Sequence, residues 1–353
     1  MKKSLKTKLM VVFAGLIILL SSAIGIISYL NSKKMLEEAI RSDMKNIANS
    51  VVNMCRAQQE LLQDYVNSDY KAAELFFKKY SLKTSATQKI KWKAVNQLNQ
   101  AADEVNLPAL SLNDNPVLFN NEPSVYQPVV DELTKLTGAT ATIFQRMNDK
   151  GDMLRISTSV INAAGKRAVG TYIPAINLDG KPNPIITSVI NGQTYRGRAF
   201  VVDQWYITVY SPIKDSSGNV IGILYVGRKE QSVTSLKEAV RRIKIGTTGH
   251  VFVFDSKGVY QSSREGLRDG ESMWESKDMD GKFWVQEIIA KAKEQKQGES
   301  FSYFYKYMNP DNTFRNRMSQ VAYFSDWDWI IGATGEIEEI YSPVEKLRNI
   351  LLG

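Results

Sequence analysis

The stretch Tyr195–Tyr210 reads YRGRAFVVDQWYITVY and brings two arginines, five aromatic rings and one carboxylate into sixteen positions. Alternate side chains of a strand share a face. Tyr206, Thr208 and Tyr210 therefore point one way, and Trp205, Ile207 and Val209 the other. In the preceding strand Tyr195, Gly197 and Ala199 share a face, opposite Arg196, Arg198 and Phe200. If Tyr195 joins the face of Tyr206 and Tyr210, Gly197 and Ala199 leave room beside the hydroxyls for a small molecule. Arg155, grouped with Ser157 and Ser159 on RISTSV, and Arg167, which begins RAVGTYI, offer guanidinium groups. Such a group holds a carboxylate through two parallel hydrogen bonds. Asp203 could pair an ammonium group, with nearby rings adding about 0.5–2 kcal/mol of cation–π attraction. The candidate ligand-binding residues are thus Arg155, Arg167, Tyr195, Tyr206, Thr208 and Tyr210. A small organic carboxylate is the first expectation for the ligand, an amine or amino acid the second. Simpler readings stand beside these. Arg196 and Arg198 suit solvated or ion-paired positions, and Tyr206 and Tyr210 suit a core as well as a ligand.

Other chemistry finds little support. The chain has one histidine, His250, and one cysteine, Cys55, too few for a Cys/His zinc site or an internal disulfide. An oxygen-ligand calcium site stays open, although no EF-hand pattern is present. Ser42-Asp43-Met44-Lys45 has the spacing of a serine acyltransferase motif but no companion motifs. There is no P-loop, dinucleotide fingerprint or zinc-helix motif, and a single histidine leaves little for a triad. The expectation is a protein that is not an enzyme and carries no cofactor or metal. Phe301, Tyr303, Tyr305 and Tyr307 line one strand face and read as packing, and His250 reads as structural.

Residues 10–30, MVVFAGLIILLSSAIGIISYL, are uncharged and mostly apolar, close to the ~20 that a helix needs to cross a bilayer. Lys2, Lys3, Lys6 and Lys8 precede them and favour a cytoplasmic N-terminus. A cleaved signal peptide is the competing reading, but its apolar region is usually only about 7–15 residues. The same four lysines supply half of the net charge of +8, leaving 41 of the 45 basic residues against 37 acidic ones. No basic stripe remains, so a nucleic-acid partner is not expected.

Beyond the apolar segment, Leu36, Ile40, Met44, Ile47, Val51 and Met54 recur at steps of three and four, as one face of a long helix. This face is the expected homodimer contact. A second helix is expected from Thr87 to Val105. From about Gly138 the pattern changes to period-two strands, ATATIFQRM and DMLRISTSV, around an Asn148–Gly151 turn. A weak repeat follows. One lobe opens at Thr137-Gly138 and closes on GILYVG. The other opens at Thr248-Gly249 and closes on WIIGATG, and each closing strand runs into an amphipathic helix.

These runs, with GKRAVGTYI, YSPIKDSSGNVIGILYVG, IGTTGHVFVFDSKGVY, DMDGKFWVQEI and DWDWIIGATG, resemble the double Cache sensor regions of bacterial methyl-accepting chemotaxis proteins and histidine kinases. The fused Cache type 3/Cache type 2 arrangement is the nearest. The resemblance implies an α+β fold in which a long N-terminal helix, anchor plus spine, carries two stacked PAS-like antiparallel-sheet lobes. It also implies small-molecule sensing outside the cytoplasmic membrane, in the periplasm or beyond it. The expected organisation is a basic tail (1–9), a transmembrane helix (10–30), a spine helix with a helical and loop region (31–137) and a membrane-distal lobe (138–228). An inter-lobe helix (229–247), a membrane-proximal lobe (248–336) and a terminal helix (337–353) follow. That last helix should lead toward a second membrane segment and an output module absent from this chain. Two departures bear on the ligand. Gln261-Ser262-Ser263-Arg264 stands where type 2 domains often have a His-Pro pair, and Thr208 and Tyr210 stand where citrate-type sensors carry basic residues.

Overall fold

The structure, a computed structural model, describes residues 5–230, 233–296, 298–308 and 313–352. Lys2 and Lys3 of the basic tail, and Gly353, lie outside the described residues. The chain divides into two compact units. One is Ala57–Val233, and the other combines Met1–Arg56 with Thr234–Gly353.

α1 (Leu5–Phe77) is a single helix of 73 residues, as its apolar periodicity predicts. Its N-terminal part is the one helix, among the described residues, long and apolar enough to cross a membrane. Leu16, Ile17, Leu20, Ile24 and Ile27 are all exposed, so no protein surface covers them. Farther along, the face expected to pair with a second copy is partly occupied by the chain itself. Met44 and Val51 are fully buried, and Leu36, Ile40 and Ile47 border a cavity with residues 244–246, Gly335, Glu336, Glu339 and Ile340.

In the unit Ala57–Val233 the Thr87–Val105 helix is replaced by a hairpin. β1 (Leu82–Asn96) pairs antiparallel with β2 (Ala102–Leu112). The reason is visible in Lys89-Ile90-Lys91-Trp92-Lys93-Ala94. Its lysines are exposed while Trp92 and Ala94 are buried, a period of two that a helix cannot sort onto one face. β3 (Asn115–Pro116), α2 (Val130–Thr137), β4 (Thr140–Arg146), β5 (Met153–Thr158) and β6 (Thr171–Ile173) follow. Then come α3 (Pro184–Ile190), β7 (Tyr195–Val201), β8 (Gln204–Lys214) and β9 (Val220–Lys229). The strands form one sheet in the order β3-β2-β1-β6-β5-β4-β9-β8-β7. One of its faces holds Ile143, Leu154, Ile156, Leu224 and Val226 with Leu133 of α2 and Ala73 of α1. On the same side Ile207 and Val209 meet Leu62 and Val66 of α1. The opposite face is covered by α3 and residues 160–175, and it carries the candidate site.

The other unit adds α4 (Val233–Arg241), which starts at the division, then β10 (Lys244–Ile245), β11 (Gly249–Phe254) and β12 (Tyr260–Ser262). α5 (Trp284–Glu294), β13 (Ser300–Met308), β14 (Phe314–Phe324), β15 (Trp329–Glu336) and α6 (Ile337–Leu352) complete it. Its sheet order is β10-β11-β15-β14-β13, with β12 on β11. Phe252, Trp284, Val285, Ile288, Tyr303 and Tyr305 make the core between this sheet and α5, so the tyrosine face of β13 packs as expected. Gly332 is required there, because a Cβ would run into the Phe252 ring. α6 is tied back by Glu339, whose carboxylate accepts from the backbone N–H and the hydroxyl of both Thr247 and Thr248. Burial would raise its pKa, but these hydrogen bonds outweigh it and bring it to about 2.

Candidate functional site

β7 and β8 form a two-residue hairpin that sets the register. Tyr195 stands opposite Tyr210, Gly197 opposite Thr208 and Ala199 opposite Tyr206. The parity argument therefore holds in space, since cross-strand partners share a face. Tyr210 is also opposite Tyr225 of β9, which adds a ring that strand parity within YRGRAFVVDQWYITVY cannot reveal. The ring centroids of Tyr210 and Tyr225 lie 4.9 Å apart, and those of Tyr195 and Tyr210 6.2 Å. Val202, at the hairpin tip, holds φ 62°, an uncommon conformation for a β-branched residue. Asp203 beside it is exposed.

Arg155 reaches this face through a β-bulge. Ile143 of β4 pairs with Ser157 of β5, but the next residue, Phe144, pairs with Arg155, so Ile156 is extra. Ile143 and Phe144 face opposite sides, and Arg155 therefore follows Phe144 onto the tyrosine face while Ser157 is turned away. The expected grouping of Arg155 with Ser157 and Ser159 is corrected accordingly. Ser157 donates to Gln127 Oε1, and Ser159 Oγ accepts from Thr134 and from the Ala141 N–H. The bulge was not legible, because the run RISTSV alternates as an ordinary strand would.

The Arg155 guanidinium is 1% exposed and sits 4.9 Å from the centroid of the Phe144 ring. Nη1 donates to Thr171 Oγ1, and Nε has no acceptor among the described residues. Among the described residues no carboxylate pairs with it. Burial pulls its pKa down, offset in part by Tyr210, Tyr225 and Tyr206 around it. Burial likewise pushes the Tyr206 phenol up to about 12, helped by Asp203, and drives Tyr210 and Tyr225 higher still. All three stay neutral donors at ordinary pH. The Tyr225 hydroxyl lies 3.3 Å from Thr140 Oγ1 and Tyr195 donates to the Arg198 carbonyl. The hydroxyls of Tyr206 and Tyr210 have no protein partner among the described residues. Thr208 Oγ1 is committed to the Gly197 carbonyl at 2.7 Å.

Arg167 goes elsewhere. It makes a bidentate pair with Asp131 at 2.7 and 2.9 Å and donates to the carbonyls of Thr158, Glu122, Pro123 and Val125. All five N–H groups are engaged, so its geometry fastens the segment 122–131 to the sheet. Arg198 is held by Glu230 and lies over Trp205, and Arg196 is exposed. Two clefts in this unit, of about 310 and 340 Å³, are lined by other residues, the second by Tyr126, Gln127, Asn113 and Ser157. Among the described residues no group of three or more His, Cys, Asp or Glu side chains could hold a metal ion.

The chain matches the model of the Cache 3/Cache 2 fusion domain over residues 30–350. Among solved structures, the sensory domain of the Campylobacter jejuni chemoreceptor Tlp3 with isoleucine bound is 13% identical. It aligns over 87% of this chain and 97% of its own, with a TM-score of 0.42. The extracellular domain of the putative histidine kinase mmHK1S-Z2 is 12% identical over 87% of this chain and 99% of its own, with a TM-score of 0.39. A methyl-accepting chemotaxis protein from Vibrio parahaemolyticus is 19% identical over 31% of this chain and 73% of its own, with a TM-score of 0.28. No curated protein matches.

Proposed function

The chain belongs to the Cache 3/Cache 2 fusion domain family, and from that premise we propose that it senses a small organic carboxylate between β5, β8 and α3 of the unit Ala57–Val233. The observation that carries this reading is Arg155, a buried guanidinium with no carboxylate partner among the described residues. Desolvating such a charge is costly unless a counter-charge arrives. A ligand carboxylate supplies one, bound in parallel by the guanidinium. Tyr206 and Tyr210 donate to it from hydroxyls that lack protein partners. Tyr195 and Tyr225 flank Tyr210, Thr208 ties β8 to β7 through the Gly197 carbonyl, and Arg167 holds the neighbouring segment in place. An amino acid or amine is disfavoured as first ligand, because Asp203, the acid on this hairpin, is exposed.

In this reading residues 10–30 anchor the protein in the cytoplasmic membrane, with the two sheet-containing lobes outside. The ligand shifts the population of two arrangements for which it has different affinity, and α6 carries that shift toward a cytoplasmic output module. We place this chain as the input region of a methyl-accepting chemotaxis protein. Homodimerisation along α1 uses its exposed Met54, Leu61 and Tyr65, because Met44 and Val51 are already covered.

The experiment is a thermal-shift screen of the full chain in nanodiscs against acetate, propionate, pyruvate and their amides. Carboxylates raise Tm, amides do not, and Arg155→Gln abolishes the shift while Arg167→Lys keeps it. A carboxylate shift that survives Arg155→Gln, or no shift from any carboxylate, sinks the assignment.

A further inference from the structure

A second cavity, of about 200 Å³, opens in the other unit. It lies on the α5-covered face of the sheet, beyond the end of that helix, where Trp284, Tyr305, Phe252 and Tyr260 form an aromatic wall. Trp284 and Tyr305 are stacked with centroids 4.6 Å apart and planes 2° from parallel, so each ring fixes the other in place. Arg264, Arg268 and Arg317 also line the cavity, and none of the described lining residues is acidic. The acids that pair with these arginines are not among the described lining residues. Arg268 is paired with Glu271 and also donates to the Tyr307 hydroxyl. Arg317 reaches Glu336 at 3.3 Å. Among the described residues Arg264 has only the exposed Glu265, at 3.9 Å, as an ion-pair partner, a contact worth ~0–1 kcal/mol.

The loop that presents Arg264 and Arg268 is built with care. Asp269 accepts from the Ser263 N–H and hydroxyl, both at 2.7 Å, and is paired with Arg241. Glu265 takes φ 56° and Gly266 φ 75°, and a Cβ on Gly266 would press on the Arg241 guanidinium. His250 at the edge of the cavity has its pKa lowered to about 4, by burial first and then by Arg317, and so stays neutral near pH 7.

We propose that this cavity is a second ligand site, which takes a small planar organic carboxylate with its apolar part against the aromatic lining and its anion at Arg264 and Arg317. A cavity of about 200 Å³ has room for a small aromatic or unsaturated monocarboxylate. This site is separate from the Arg155 cluster and does not depend on it.

The test is calorimetric titration of the full chain in nanodiscs with benzoate, 2-furoate and sorbate, and with benzamide as the uncharged match for benzoate. The background is Arg155→Gln, which removes the first-unit cation. At least one of the three acids binds saturably in that background, benzamide binds at least tenfold more weakly than benzoate, and Arg264→Gln weakens the acid at least tenfold. Trp284→Phe, which keeps a ring in the core, weakens it less than Arg264→Gln but measurably. Saturable binding that Arg155→Gln abolishes and Arg264→Gln leaves unchanged places the acids in the first unit and overturns the proposal. No binding of any of the three acids at millimolar concentration overturns it as well.

Discussion

Replacing Arg155 by methionine should stabilise the protein while destroying carboxylate sensing. The guanidinium is fully buried, and its desolvation opposes folding by several kcal/mol. Two interactions offset this. One is the charged hydrogen bond to Thr171, of a kind worth about 1.5–3 kcal/mol. The other is the contact with the Phe144 ring, about 0.5–2 kcal/mol. Methionine fills much of the same volume and removes all three contributions together. Thr171 is not orphaned, because its hydroxyl still donates to the Ala168 carbonyl. The balance favours the variant by about 1–3 kcal/mol, in line with other replacements of buried charge by apolar groups. In a unit of this size each kcal/mol moves Tm by roughly 2–4 °C. The assay is urea unfolding of the full chain in nanodiscs, without ligand, with the thermal scan as a second readout. A rise in the urea midpoint without a change in slope is the expected result. A loss of about 2 kcal/mol or more would refute the reasoning, since it would make Arg155 a structural residue whose contacts outweigh its desolvation.

Arg167→Ala should behave in the opposite way, losing about 3–5 kcal/mol because it strands Asp131 and several carbonyls, which denaturation reads directly. Glu339→Gln should destabilise the other unit near neutral pH by about 1–2 kcal/mol, reduced from the full linkage value because the carboxylate is partly exposed. A depressed carboxylate pKa contributes above its unfolded value and is lost as pH falls, so the gap between variant and wild type should close between about pH 4.5 and 2 in acid denaturation. Gly332→Ala should overpack the Phe252 ring and lower stability by about 1–3 kcal/mol, measured by chemical unfolding.

Much of this fold can be read from residue spacing. The steps of three and four in α1 and the alternation of β4, β5, β8 and β9 follow directly from side-chain periods. The Thr87–Val105 segment misleads because helix formers such as lysine, glutamine and alanine fill it, while Lys-Ile-Lys-Trp-Lys-Ala alternates and sheet pairing decides. The site divides along the same line. The shared face of Tyr195, Tyr206, Thr208 and Tyr210 is a local property of two adjacent strands and is legible. Tyr225, the bulge that turns Arg155 inward and the Asp131 that claims Arg167 all depend on non-local pairing. Position along a strand says which face a residue takes only until a bulge intervenes.

The central claim is that Arg155 is the anion anchor, and the most direct test is a crystal structure of the soluble portion with a stabilising carboxylate bound. The account predicts the carboxylate within hydrogen-bonding distance of the Arg155 guanidinium, with the Tyr206 or Tyr210 hydroxyl donating to it. A carboxylate seated elsewhere in the unit Ala57–Val233, with Arg155 still contacting only Thr171 and Phe144, would contradict it.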